Sequence, residues 1–179
     1  MKTIVINLFG GAGAGKSVLM ARLFAELKLR YNGSVEMVTE YAKELVWQER
    51  LAELADQHKV TDEQIKRLVS LCGKVNIIVT DSPLELGLAY TPKEIYKEIE
   101  SKINNARKNY SEINLFVNRP NDTYEVVGRV HTLEQSKEID KKLKRIKTFD
   151  ESAEVSATMP MDLILMRLAK LGLNPNDFK

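Results

Sequence analysis

Short apolar runs rich in isoleucine and valine recur along the chain, at residues 3–9, 35–39, 75–80 and 113–117. Each is nearly continuous rather than alternating, the pattern expected of strands covered on both faces in a parallel sheet. The stretches between them carry helical spacing. Over residues 16–31, Leu19, Leu23, Leu27 and Tyr31 fall four apart and share one face. Three further helix starts are marked by a threonine with Glu or Gln three positions on: Thr61 with Gln64, Thr91 with Glu94, and Thr132 with Gln135. In the second, Pro92 would take the first helical position, where its missing N–H costs nothing. A weaker fifth strand is read near 145–149. Strands alternating with helices predict an α/β fold of three layers around a mostly parallel sheet. Residues 119–131 break the alternation with a Pro-Asn-Asp turn signal and a Gly-Arg pair, and read as a lid-like insertion at the edge of the fold.

Composition narrows the class without choosing a function. A length of 179 residues suits one domain over 1–179. The charged fraction of 29% and hydrophobic fraction of 44% are those of an ordinary soluble protein. A net charge of +2 leaves no overall footprint for nucleic acid or a membrane surface. The single cysteine, Cys72, excludes an intramolecular disulfide and suits a reducing compartment. His58 and His131 stand far apart, and no zinc-type ligand spacing occurs. The apolar run at 3–9 is too short to span a bilayer and lacks the cleavage site of a signal peptide. The expectation is a soluble, cytoplasmic chain with no membrane partner.

Four of the nine glycines crowd into residues 10–17, GGAGAGKS, directly after the first apolar run and before the first helix. The stretch fits the phosphate-binding pattern GxxxxGK[ST] in its required strand–loop–helix context. Glycine lets successive backbone N–H groups point into one concavity at the positive end of the helix. Gly11, Ala12, Gly13, Ala14, Gly15, Lys16, Ser17 and Val18 are therefore expected to cradle ATP. Lys16 would reach the β- and γ-phosphates and the Ser17 hydroxyl would ligate Mg²⁺. A tight glycine turn with no ligand is the plainer alternative. No strand ends in Asp-Glu, as a motor ATPase would have it, and no Asn-Lys-x-Asp guanine reader occurs.

Ligands of open α/β sheets bind beyond the carboxyl ends of the strands. That rule picks out Glu40, Asp81 and Arg119 after the second, third and fourth runs. Two carboxylates facing a phosphate loop suit phosphoryl transfer: one deprotonates a hydroxyl acceptor while the other holds Mg²⁺. Ser17 and Asp81 are thus the candidate metal residues. Arg119 and Arg129 flank the insertion and could neutralise the transferring phosphoryl group. The plainer readings are acids that begin helices and arginines that face solvent. Trp47 is read as core, Met159, Met161 and Met166 as core filling, and His131 as structural. The basic run Lys137, Lys141, Lys142, Lys144, Arg145 and Lys147 reads as a solvated helix face, with a nucleic-acid footprint as the alternative.

The glycine loop, the strand followed by Glu40-Tyr-Ala-Lys43, and Gly128-Arg-Val-His-Thr-Leu-Glu-Gln135 with Ile139-Asp140 downstream resemble the small P-loop kinases. Within that group the chain looks like nicotinamide riboside kinase domains, thymidylate-kinase-like enzymes and their bacteriophage relatives, of AAA-type ATP-binding character. The resemblance implies a sheet ordered 2-3-1-4-5, Glu40 at the acceptor hydroxyl, Asp81 near Mg²⁺ or the acceptor, and Arg119 and Arg129 in a lid. Thymidylate and deoxynucleoside kinases typically follow the third-strand Asp with Arg. Here Ser82 and Pro83 follow Asp81, which leaves the acceptor open. Three functions are therefore carried forward. They are a kinase acting on a nucleoside, nucleotide or related small acceptor, a polynucleotide kinase acting on a nucleic-acid 5′-hydroxyl or modified base, and a regulatory ATP-binding module.

Overall fold

The computed structural model describes residues 2–119 and 124–178. The first apolar run is β1 (Thr3–Phe9), the middle strand of the sheet, and the glycine loop delivers the chain from it into α1 (Lys16–Arg30). Next come β2 (Val35–Val38) and three short helices, α2 (Tyr41–Trp47), α3 (Leu51–Ala55) and α4 (Gln57–Val69). After β3 (Ile77–Thr80) a buried 3-10 turn at Leu84–Ala89 leads to α5 (Tyr96–Ala106) and β4 (Tyr110–Asn118). The remainder is α6 (Leu133–Ile146), β5 (Glu154–Ser156) and α7 (Met161–Lys170).

All strand pairs are parallel and the order is β2-β3-β1-β4-β5, as expected. Strand β1 pairs with β4 along its whole length, from Thr3 opposite Tyr110 to Phe9 opposite Phe116. Alternate residues of β1 feed different cores, so the unbroken apolar run is explained by burial on both faces. Ile6 and Leu8 pack with Leu19, Leu23 and Leu27 of α1 and with Ile164 and Leu168 of α7. Val5 packs on the other face with Leu68 of α4 and with Ile99 and Ile103 of α5. Phe9 joins Phe116 and the α6 residues Ile139 and Leu143. Among the described residues no helix is long and apolar enough to cross a membrane.

Three local expectations are corrected. The fifth strand lies at Glu154–Ser156, not at 145–149. Arg145 and Ile146 close α6, while Phe149 stacks edge-on against Phe9 and Phe116, 5.2 Å from each ring, and so covers the sheet instead of joining it. Helix α4 begins at Gln57 because the Asp56 carboxylate accepts the N–H groups of His58 and Lys59, at 3.1 and 3.2 Å. That cap lies upstream of Thr61 and leaves the threonine buried inside the helix. Helix α5 starts at Tyr96, after a turn in which Ile95 N–H reaches the Pro92 carbonyl. The third start is as expected: Thr132 and Gln135 exchange both capping-box hydrogen bonds.

Candidate nucleotide-binding site

The loop from Gly10 to Gly15 turns the chain sharply, with Gly10, Gly13 and Gly15 at positive φ and Gly15 preceding α1. Gly13 is where the loop meets the insertion. Its φ is +80°, and an added Cβ would lie 2.6 Å from Nη1 of Arg129 and 2.8 Å from the Tyr124 ring. The insertion therefore lies directly on the phosphate loop.

Helix α6 holds the loop from another side. Gly11 N–H donates to the Asp140 carboxylate, and Ser136 Oγ donates to the Ala12 carbonyl at 2.7 Å. Arg119 knits the two together. Its Nε donates to Asp140 at 2.8 Å, Nη1 to the Ala12 carbonyl at 2.6 Å and Nη2 to Ser136 Oγ at 2.9 Å. Arg119 thus directs its guanidinium at the loop backbone and at α6.

Lys16 is buried, and its ammonium donates to the Gly11 carbonyl at 3.2 Å. Burial pulls its pKa below the ordinary lysine value, while Glu40, Asp81 and Asp140 act against that and Arg119 adds to it. Ser17 Oγ donates to Oδ2 of Asp81 at 2.6 Å, joining the first turn of α1 to the end of β3. Asp81 is buried, and among the described residues its Oδ1 has no hydrogen-bond partner. Glu40 precedes α2, and burial pushes its carboxyl above the usual glutamate value. Lys16 and Lys43 oppose that rise and Asp81 reinforces it.

Arg129 stacks on the Tyr124 ring, 4.6 Å from its centroid; its Nη2 lies 3.7 Å from the Glu125 carboxylate, while its Nη1 is buried with no hydrogen-bond partner among the described residues. The Tyr124 hydroxyl donates to the His131 carbonyl at 2.8 Å, and the His131 ring lies 5.3 Å from that of Tyr90. Burial raises the Tyr90 pKa, with Glu40, Asp140 and Tyr124 adding to it and Arg119 opposing it. Part of the expected insertion, residues 120–123, lies outside the described residues.

The structure thus brings Lys16, Ser17, Glu40, Asp81, Arg119 and Arg129 together around one loop. Ala14 is buried beneath it, and Val18 is exposed on the first turn of α1. Sequence reasoning gave no role to Ser136, Asp140, Tyr90 or Tyr124. The spacing of Ser136 and Asp140, four apart on an amphipathic helix, was the available signal. Trp47, read as core, is 58% exposed at the end of α2. At least four of the six residues of the basic run are paired within the protein: Lys141 to Glu138, Lys144 to Glu154, Lys147 to both Glu85 and Glu112, and Lys142 to the Ala89 carbonyl.

A glycine loop leading from the carboxyl end of the middle strand into a helix, in a parallel sheet ordered 2-3-1-4-5, defines a small P-loop protein with a nucleotide-kinase-like fold. A family model described as an AAA domain matches residues 5–149, and the chain belongs to that family. Among solved structures it is similar to deoxyadenosine kinase from M. mycoides with the products dCMP and a flexible dCDP bound. That similarity has a TM-score of 0.60 and 16% identity, over 93% of this chain and 98% of that one. The same kinase with bound dATP matches with a TM-score of 0.54 and 13% identity, over 94% and 100%. At such identities the likeness is one of fold. No curated protein is found to match the chain.

Proposed function

We propose that the chain is one P-loop kinase domain, acting in the cytoplasm, that moves the γ-phosphate of ATP to a hydroxyl or phosphate of a nucleoside, nucleotide or related acceptor. The observation that carries this reading is a pair of buried atoms of opposite character at one site, Oδ1 of Asp81 and Nη1 of Arg129, neither of which has a hydrogen-bond partner among the described residues. A buried polar atom without a partner is costly, and the site relieves both costs if it receives a cation and an anion. ATP with Mg²⁺ supplies both, so the residues present fit that pair.

The backbone N–H groups at the start of α1 and the Lys16 ammonium would hold the phosphates. Ser17 Oγ and Asp81 would hold Mg²⁺, which when bound neutralises charge on the phosphate oxygens. Glu40 would accept the proton of an acceptor hydroxyl. The acceptor oxygen then forms its bond to the γ-phosphorus as the bond to the bridging oxygen breaks and ADP leaves. The raised pKa of Glu40 makes it a better proton acceptor than an ordinary glutamate, provided the pH lies above that pKa. Arg129 would neutralise the transferring group, and Arg119 would hold the loop in shape. The deoxyadenosine kinase similarity supports a nucleoside-type acceptor, and the pairing of the basic run weighs against a nucleic-acid strand.

Lys16→Ala tests the reading. Turnover is expected to fall by at least ~10³ with melting preserved, because positioning and charge neutralisation lower most of the barrier. Near-full activity in a normally folded variant would contradict it. A steep salt dependence of oligonucleotide binding would instead favour the polynucleotide reading. ATP binding without turnover would favour a regulatory module.

A further inference from the structure

Trp47 is the single tryptophan of the chain, and it ends α2, the helix that Glu40 precedes. Its six-membered ring lies against Gly128. A Cβ built on Gly128 would sit 2.4 Å from Cζ2, 2.9 Å from Cη2 and 3.0 Å from Cε2 of the indole. Gly128 has φ +75° and is the corner of a tight turn closed by Arg129 N–H to the Val126 carbonyl at 3.2 Å. The turn therefore touches the acceptor-side helix through Gly128, and through the next residue, Arg129, it touches Gly13 of the phosphate loop.

We infer that Trp47 is a positioning residue, the seat on which the 126–129 turn rests and which fixes Arg129 over the glycine loop. The turn has little burial of its own, since Val126 and Val127 are 71% and 69% exposed. A segment so exposed opens easily unless a neighbour covers part of it. A broad, rigid indole does so with little loss of side-chain freedom. Glycine at 128 allows the backbone to lie flat on the ring and to take its left-handed conformation. Because the seat stands on the helix that Glu40 opens, the acceptor side and the phosphate side are joined by one contact. The catalytic consequence rests on the proposed kinase reading, whereas the seat itself does not.

Trypsin cleavage after Arg129 in the ligand-free protein reads the seat directly. Trp47→Ala is expected to speed cleavage about tenfold or more by raising the open population, with little change in melting. Trp47→Phe keeps a ring and is expected to restore most of the protection. Gly128→Ala should also speed cleavage, by clash and by backbone strain together. Adding Gly128→Ala to Trp47→Ala separates the two, because with the ring gone the second change should add only the smaller effect of strain. In kinetics Trp47→Ala should lower kcat about tenfold or more while the ATP dissociation constant stays within about twofold. Equal cleavage of wild type and Trp47→Ala, or fully multiplicative effects of the two changes, would overturn the seat. Faster cleavage in a protein that transfers phosphate to no acceptor would leave the seat standing and remove the kinase reading.

Discussion

Glu40 and Lys16 are both displaced by burial, in directions that favour the neutral form of each. The consequences for stability have opposite signs. Glu40 has its folded pKa above the unfolded one, so the folded state binds more protons between the two values and stability falls as pH rises through that window. Lys16 has its folded pKa below the unfolded one, so stability rises with pH between those two values. Glu40→Gln removes the first dependence. Its melting temperature should match wild type below the ordinary glutamate value and gain on it as pH rises, while turnover with a hydroxyl acceptor is suppressed. Parallel melting curves across pH, or unchanged turnover, would contradict this. Asp81→Asn should raise the Mg²⁺ concentration for half-maximal turnover by at least about tenfold, read by Mg²⁺ titration; an unchanged titration would leave Asp81 only its structural hydrogen bond with Ser17. These acids were legible because each follows an apolar run. Asp140 was not, since nothing in a helical sequence says which carboxylate will meet a loop more than a hundred residues earlier.

At the scale of elements, α6 does most to shape the loop, and its beginning was readable from Thr132 and Gln135. Thr132→Ala deletes one half of the capping box and should cost about 1 kcal/mol, seen as a lower urea midpoint at unchanged slope. No change in midpoint would mean that the cap contributes nothing. The end of α6 and the fifth strand were harder to read. Ile146 and Phe149 have strand-like chemistry, yet one closes the helix and the other packs edge-on over Phe9 and Phe116. The true β5, Glu154–Ser156, is three residues long and too short to show any period. Helix α4 was placed late because Thr61 and Gln64 match a capping box in spacing, while Asp56 holds the first free N–H groups.

Across the whole molecule, the phosphate loop is braced from several sides. Helix α6 holds Gly11 and Ala12, and the 126–129 turn with Tyr124 covers Gly13. Gly15 lies against Ala157, whose carbonyl accepts a hydrogen bond from Arg22 of α1. Such bracing places donors in advance, which is where most of the rate of phosphoryl transfer comes from. The order of the sheet was legible only through family resemblance, because apolar runs reveal strands but not their neighbours. The bracing depends on contacts far apart in sequence and required the fold. Transfer of label from γ-labelled ATP, screened against nucleosides, nucleotides, nicotinamide riboside and 5′-hydroxyl oligonucleotides, tests the central claim most directly. The account predicts label on a nucleoside or nucleotide-type acceptor with wild type and at least ~10³ less with Lys16→Ala. Label released only as free phosphate, at a rate indifferent to acceptor and to Lys16→Ala, would contradict it.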